Sequence, residues 1–269
     1  RVELKKSGRS FTAAYADAMI DLMKADEKIF AVTAAMPDGT GLNKVLPMFP
    51  ERSLDTGICE SHAMDMCAGL AKSGLRPFFA VYSTFAQRAI DQVFHALSLK
   101  GLAVRICMDR AGFVGDDGAV HHGFMDIAMF KPLVGMVRLG VSDEPNLKAA
   151  LEFMRTYDAG CTALRYPRDN VALEPVQETV PPYVLGKANL VKPARGAKAD
   201  IAILAYGTEV YEALAAVEDL TKQGYDVAVY DARFAKPVDI DLVQSLVEAG
   251  VPVLTVEDHF LTGGFGSCV

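Results

Sequence analysis

The chain alternates between short apolar runs and longer stretches in which apolar residues recur at helical spacing. Ser10 precedes Phe11 to Lys24, whose apolar residues return every three or four positions, so we expect Ser10 to cap a helix there. The apolar run Ile29 to Thr33 is typical of a buried strand. The turn-forming residues of Met36 to Lys44 predict a loop.

The same alternation continues as far as Tyr166. Further strands are predicted at Pro77 to Tyr82, Ala103 to Met108, Met136 to Leu139 and Cys161 to Tyr166. Helices are predicted near Glu60 to Lys72, from a cap at Ser83 to the region of Leu99, and near Asp143 to Tyr157. Strands and helices that alternate at this spacing predict a doubly wound parallel sheet with right-handed crossovers.

The run from Asn170 to Lys198 interrupts the alternation, because it is rich in proline and has little periodicity. We interpret residues 173–198 as a linker between a first domain at 1–172 and a second at 199–269. In the second domain, strands and helices are predicted at Ile201 to Tyr206, Glu209 to Gln223, Asp226 to Tyr230, Ile240 to Ala249 and Pro252 to Glu257. It stops at a glycine-rich turn with no helix after it, so the predicted fold is a doubly wound α/β domain followed by a second, truncated α/β domain.

Charge, apolar stretches and cysteine spacing argue against a nucleic-acid-binding protein, a membrane-spanning protein and a protein with disulfides or a zinc site. The formal net charge is −7 and the pI is near 5.3, whereas a nucleic-acid partner calls for a basic face. No apolar stretch reaches the ~20 residues that a membrane span needs. The five cysteines are scattered without a C-x-x-C pair, which favours free thiols in a reducing compartment over disulfides or a zinc site. We therefore expect a cytoplasmic protein.

The candidate chemistry lies in loops that follow the strands of the first domain. Glu60 begins a predicted helix directly after an apolar run, although an acid in the first turn can also serve only to offset the helix dipole. Tyr82 and Phe85 follow the next strand, where core packing is the alternative to a stacking platform. Because the carboxyl ends of parallel strands share one edge of the sheet, we expect these loops to line a cleft.

Charged residues of the same loops indicate an anionic substrate. Three arginines are predicted at this edge, namely Arg88, Arg110 and Arg168. The arginine fork suits phosphate, while surface ion pairs are the alternative. The long polar loop Asp109 to Gly123 also contains potential metal ligands, namely Asp116, Asp117, His121 and His122. Their spacing matches no strong metal template, and His121 is better explained as a hydrogen-bonding or proton-transfer group.

Four segments together resemble one family of enzymes. They are Ile58-Cys-Glu60-Ser-His62, Tyr82-Ser-Thr-Phe85-Ala-Gln-Arg88-Ala-Ile-Asp-Gln92, Asp109-Arg110-Ala-Gly-Phe-Val-Gly-Asp-Asp117-Gly-Ala-Val-His121 and Arg165-Tyr-Pro-Arg168. The first is similar to the I-x-E-Q-H segment of thiamine-diphosphate enzymes of the transketolase type. The other three narrow the resemblance to the 1-deoxy-D-xylulose-5-phosphate synthase family, over essentially the whole chain.

The resemblance implies a pyrimidine-binding domain followed by part of a transketolase C-terminal domain. The implied reaction condenses pyruvate with glyceraldehyde 3-phosphate, releases carbon dioxide and forms 1-deoxy-D-xylulose 5-phosphate for isoprenoid synthesis. In that family a separate N-terminal domain holds the cofactor's diphosphate and Mg²⁺ through a G-D-G…N motif, which this sequence lacks. We therefore expect a chain without metal ligands of its own and inactive alone. It would act in a homodimer, in the cytoplasm or in a plastid.

The resemblance also implies a role for each candidate residue. Glu60 would hydrogen-bond the ring nitrogen of the cofactor's aminopyrimidine, and Phe85 would stack on that ring. Arg110 and Arg168 would bind the substrate phosphate. Further contacts to substrate, or help in proton transfer, would come from Tyr82, Arg88, Asp117 and His121.

Three positions depart from the family pattern. Ser61 stands where the family has Gln, Asp116 replaces a small residue, and Asp169 replaces the glycine after Arg168. Because Asp169 can neutralise part of the phosphate site, the acceptor is more in question than the cofactor. One alternative is a transketolase-like ketol transferase with another phosphorylated acceptor, as one subunit of a split enzyme. The other is a non-catalytic pyrimidine-domain module.

Overall fold

The computed structural model describes residues 6–269, whose strands form three sheets. The strands are β1 (Lys6–Ser10), β2 (Ile29–Thr33), β3 (Ser53–Asp55), β4 (Arg76–Tyr82), β5 (Arg105–Asp109), β6 (Val137–Gly140), β7 (Thr162–Arg165), β8 (Asn170–Ala172), β9 (Asn189–Lys192), β10 (Ile201–Ala205), β11 (Val227–Asp231), β12 (Phe234–Lys236) and β13 (Val253–Val256). The α-helices are α1 (Phe11–Ala25), α2 (Pro37–Thr40), α3 (Leu42–Val45), α4 (Glu60–Lys72), α5 (Ile90–Gln92), α6 (Asp126–Phe130), α7 (Glu144–Thr156), α8 (Glu209–Lys222) and α9 (Ile240–Glu248).

The large sheet of the first domain has the strand order β12-β6-β7-β5-β4-β2-β3. Its strands are parallel except for β12, which runs antiparallel to β6. Side chains of a strand alternate between faces, so Phe78 packs with α1 and α7 while Phe79 packs with α4 on the other face. Helices therefore cover both faces of a mainly parallel sheet, which confirms the predicted α/β fold.

The second domain is a smaller α/β unit with the strand order β13-β10-β11-β9. Its parallel strands β10, β11 and β13 were predicted, and α8 packs on them. Strand β9 was not predicted, and it lies inside residues 173–198, which the sequence suggested were a linker. It pairs antiparallel with β11 at the edge of the sheet, so this segment is partly a structural element of the second domain.

One strand of the second domain belongs to the sheet of the first domain. Strand β12 follows β11 in the chain, yet it extends the sheet of the first domain by pairing with β6. Phe234 in β12 is 1% exposed and packs against Phe153 and Tyr183, with ring centres 5.6 and 5.7 Å away. The core of the first domain is therefore completed by residues of the second.

The predicted cap of α1 was confirmed, since Ser10 accepts a hydrogen bond from the Ala13 amide at 3.1 Å. The helix predicted near Asp143 is α7, and the structure adds a cap there, where Asp143 accepts from the Asn146 amide at 2.9 Å. The helix predicted from a cap at Ser83 was wrong in detail. Residues Ser83–Ala89 form a 3₁₀ segment, and Val93–Ser98 form a π-helix after the single turn of α5.

Two further predictions of local structure were wrong. The Ser83 hydroxyl caps nothing, because it is buried against Gly123, where an added Cβ would lie 2.6 Å from it. The loop predicted at Met36 to Lys44 folds into α2 and α3, which meet at Gly41 in the left-handed conformation that glycine tolerates. Within residues 6–269, no helix is long and apolar enough to cross a membrane.

Candidate active site

Glu60 is a buried acid at the carboxyl edge of the large sheet. It is the first residue of α4 and follows β3 by a short turn. Its side chain is 5% exposed, and burial of a charge is costly unless a partner compensates it. That partner is Arg88, whose Nη1 donates to Glu60 Oε1 at 3.0 Å. Within residues 6–269 nothing donates to Oε2, so one oxygen of a fixed carboxyl group remains available for a ligand.

An aromatic group lies beside this carboxyl group. The rings of Tyr82 and Phe85 are nearly parallel, at 17° and 5.8 Å between centres. The His121 ring meets Phe85 edge-on at 5.7 Å, and the Arg88 guanidinium carbon lies 5.0 Å from the centre of the Phe85 ring. Burial raises the pKa of Tyr82, so its hydroxyl stays neutral and can donate a hydrogen bond. The aromatic group is therefore in contact with Glu60 through Arg88.

A cleft of about 460 Å³ opens next to these rings. Its walls are formed by Ser10, Thr12, Asp38, Gly39, Arg110, Arg168, Asp169 and Asn170. The two arginines of the cleft share one carboxylate, that of Asp117. Asp117 Oδ2 accepts from Arg110 Nε and Asp117 Oδ1 pairs with Arg168 Nε, both at 3.0 Å. The two guanidinium groups are thus held at a fixed spacing, as recognition of an anion requires.

Arg110 is fixed from several directions. Its Nη1 donates to the Gly39 carbonyl at 2.7 Å and to Asp109 Oδ1 at 3.1 Å, and its guanidinium lies 3.9 Å from the centre of the Tyr82 ring. Its backbone has a φ of 62°, which is strained for a side chain of this size. Asp109 is buried, and burial raises its pKa to about 6 although Thr12 donates to it at 2.7 Å.

His121 has one ring nitrogen available for chemistry. Its Nδ1 lies 2.8 Å from the Asp117 carbonyl oxygen. Because a carbonyl only accepts hydrogen bonds, Nδ1 carries the proton and Nε2 is the basic atom. His122 has a different environment, since its Nδ1 accepts from the Val114 amide at 3.1 Å and its ring packs on Phe113. In the described part of the chain, no three His, Cys, Asp or Glu residues come together as metal ligands.

The structure brings together most of the residues predicted from the sequence. Arg88 is the exception among the arginines, because it binds Glu60 and is absent from the walls of the cleft that contains Arg110 and Arg168. Of the three departures, Asp169 lines the cleft and Asp116 is exposed on a turn. Ser61 donates to the Arg88 carbonyl at 2.7 Å.

Several site residues were missed by the reasoning from sequence. Thr12, Asp38, Gly39, Asp109 and Asn170 line the cleft or support Arg110. Gly39 lies in a turn-rich stretch that carried no chemical signal, and Thr12 lies inside a helix with ordinary amphipathic spacing. Only the position of Asp109 at a strand end, beside Arg110, was a usable signal.

Comparison with known proteins agrees with this geometry. Residues 7–174 match the family described as transketolase, pyrimidine binding domain, and residues 186–269 match transketolase, C-terminal domain. A solved structure described as "Split gene transketolase, inactive beta4 tetramer" is similar, with a TM-score of 0.84 and 28% sequence identity. The similarity covers 97% of this chain and 84% of that chain. The chain therefore belongs to the transketolase family, with a pyrimidine-binding domain followed by a C-terminal domain.

Proposed function

We propose that this chain forms part of a thiamine-diphosphate-dependent 1-deoxy-D-xylulose-5-phosphate synthase, which condenses pyruvate with glyceraldehyde 3-phosphate and releases carbon dioxide. The observation that carries the proposal is the position of Glu60. A buried, fixed carboxyl group lies beside an aromatic group, and a cleft with two arginines opens next to them. The proposed enzyme acts as a homodimer in the cytoplasm.

The residues at this edge fit the aminopyrimidine half of thiamine diphosphate. Glu60 offers a desolvated carboxyl oxygen, and Phe85 offers an aromatic surface. When bound, this cofactor supplies an electron sink for cleavage of the bond next to a keto group. Glu60 would hydrogen-bond the pyrimidine ring nitrogen, an interaction that the water-poor surroundings strengthen. The diphosphate and Mg²⁺ would be held by another domain or subunit.

The remaining residues would act on the substrates. Arg110 and Arg168 would hold the phosphate of the acceptor, and Asp117 would keep their guanidinium groups in place. His121 would accept or return a substrate proton at Nε2, because Nδ1 is fixed as a donor. Tyr82 would donate from its neutral hydroxyl.

A second candidate is a ketol transferase with a different phosphorylated acceptor. The similarity to a split-gene transketolase favours it. Such an enzyme would take its two-carbon unit from a ketose and release no carbon dioxide.

Substrate assays of the complete enzyme separate the two candidates. With thiamine diphosphate and Mg²⁺ present, we expect carbon dioxide to be released from pyruvate only when glyceraldehyde 3-phosphate is added, together with a five-carbon ketose phosphate. Turnover of a ketose donor without release of carbon dioxide would instead establish the second candidate. Absence of both activities would favour the non-catalytic module.

A further inference from the structure

Arg88 makes both contacts that the proposed function assigns to the aminopyrimidine. Its Nη1 donates to Glu60 Oε1 at 3.0 Å, and its guanidinium carbon lies 5.0 Å from the centre of the Phe85 ring. A guanidinium is planar, carries several N–H donors and stacks on aromatic faces. An aminopyrimidine is also planar and stacks on aromatic faces, and with its ring nitrogen protonated it too would donate an N–H to the Glu60 carboxylate.

The groups around Phe85 place the aminopyrimidine in competition with the Arg88 guanidinium. Tyr82 lies nearly parallel to Phe85, and the edge of the His121 ring also contacts it. Because the Arg88 guanidinium contacts both Phe85 and Glu60, a ring that stacks on Phe85 and bonds either oxygen of Glu60 would overlap it.

The side chain of Arg88 can leave this position while its backbone stays in place. Its side chain is 54% exposed, whereas that of Glu60 is 5% exposed. The exposed guanidinium is readily hydrated when it leaves, and the bound ring would take its place as the partner that the buried Glu60 requires. Meanwhile Ser61 Oγ donates to the Arg88 carbonyl at 2.7 Å and holds the backbone. The side chain can swing out without rearrangement of the 3₁₀ segment that carries it.

We propose that Arg88 is a displaceable plug of the aminopyrimidine site, closed in the free protein and swung out when the ring binds. This inference rests on the proposed function, because it takes Glu60 and Phe85 to be the ring's partners. It gives Arg88 a role toward the cofactor site in place of the substrate-binding role expected from the sequence.

The test measures binding of the pyrimidine half alone, with 4-amino-5-hydroxymethyl-2-methylpyrimidine as the probe. This probe lacks the diphosphate, so its binding does not depend on a metal site outside this chain. A ligand-observed NMR titration compares the wild type, Arg88→Gln and Arg195→Gln. Arg195 is a matched control, since it is 64% exposed and pairs with Asp226 in the second domain.

We expect Arg88→Gln to bind the probe about tenfold more tightly than the wild type, which corresponds to about 1.4 kcal/mol. Arg195→Gln should bind like the wild type. If Arg88→Gln binds the probe as tightly as the wild type or more weakly, the proposal that Arg88 is a plug is wrong. Thermal unfolding of both variants shows whether the fold is intact, as expected for exposed side chains.

The double variant Glu60→Gln with Arg88→Gln separates failure of the plug from failure of the proposed function. Both Arg88→Gln and the double variant lack the Arg88 guanidinium. The difference in probe affinity between them therefore isolates the contact of the ring with Glu60. Weaker binding by the double variant supports the proposed ring site. Probe binding that is unchanged by loss of Glu60, or no binding by any variant, overturns both the proposed function and the plug.

Discussion

Single charges in the cleft would set its affinity for the proposed phosphorylated acceptor. Arg110 and Arg168 are the cations of its walls, and Asp38 and Asp169 are anions of the same walls. Asp117 already engages both arginines. A phosphate dianion would therefore approach arginines whose charge is largely balanced, and this would limit how tightly the proposed phosphorylated acceptor binds.

Replacement of Asp169 by Asn should strengthen binding of a phosphorylated acceptor. The change removes one negative charge beside Arg168 and keeps the size of the side chain. We expect the KM for the acceptor phosphate to fall by about threefold, because exposed charge pairs contribute up to ~1 kcal/mol. Steady-state kinetics of the complete enzyme measure this effect.

Asp21→Asn is a suitable control for this substitution. Asp21 is an exposed aspartate on α1, outside the cleft. An equal fall of KM in both variants would show that net charge, and not the position of Asp169, governs the effect.

The short helix α2 positions the end of β4. An added Cβ on Gly39 would lie 1.6 Å from the Tyr82 hydroxyl oxygen. The Gly39 carbonyl also accepts from Arg110. This glycine therefore sets the place of one aromatic and one arginine of the site, although it has no side chain to contact a substrate.

Gly39→Ala should impair the reaction more than the fold. The Tyr82 ring has to move away from Phe85 and from the Arg110 guanidinium, so we expect kcat/KM to fall by at least about tenfold, in keeping with the cost of a misplaced site group. Gly69→Ala in α4 is the control, because its Cβ meets open space. That variant should keep full activity, and Gly39→Ala activity equal to it would contradict the role given to Gly39.

Elements with strong local signals were predictable from the sequence, and those made by distant pairing were not. Helices α1 and α7 have caps and amphipathic spacing, and the interior strands are apolar runs. Strands β9 and β12 are short edge strands whose partners are distant in sequence. A segment of three or four residues has no readable period, so only the folded chain shows the pairing.

In the candidate site too, residues with a local sequence signal were predictable and contacts between distant segments were not. Glu60, Tyr82, Phe85 and His121 were identified because they follow strands and because their segments resemble a family. The pairing of Arg88 with Glu60 joins two loops and leaves no mark in either segment. The same is true of Gly39, whose importance comes from a ring that packs on it.

In the whole molecule, buried charges join the two domains beneath the site. Arg165 of β7 donates from Nε to Asp126 Oδ2 at 2.9 Å and from Nη1 to Asp258 Oδ1 at 2.7 Å. An added Cβ on Gly112, in the loop that carries Arg110, would collide with Asp258 at 1.8 Å. The second domain therefore supports the loop of the proposed substrate site from below.

Asp231 should make the stability of this assembly depend on pH. It lies at the end of β11, where Ser142 of the first domain donates to it at 3.4 Å, and burial raises its pKa from 3.8 to about 7. Between these values the folded protein holds a proton that the unfolded chain has lost. The contribution of Asp231 to stability is therefore present at low pH and is lost as the pH rises toward 7.

Asp231→Asn should remove this dependence, because Asn resembles the protonated carboxyl group. Relative to the wild type, the variant should gain at least about 1 kcal/mol in the free energy of unfolding between about pH 5 and about pH 8. Urea denaturation at both pH values measures it, with Asp21→Asn as the exposed control. Parallel pH dependence in Asp231→Asn and the wild type would show that Asp231 is ionised in the folded state.

Glu60→Gln in the complete enzyme tests most directly whether this buried carboxyl group drives the reaction. With saturating thiamine diphosphate, Mg²⁺ and glyceraldehyde 3-phosphate, we expect the initial rate of carbon dioxide release from pyruvate to fall by at least about 100-fold, the loss typical when a group that assists proton transfer is removed. The thermal unfolding temperature should change little, since the amide has the shape of the carboxyl group. A rate within about threefold of the wild type, where a proton-transfer role predicts a far larger loss, would contradict the role of Glu60.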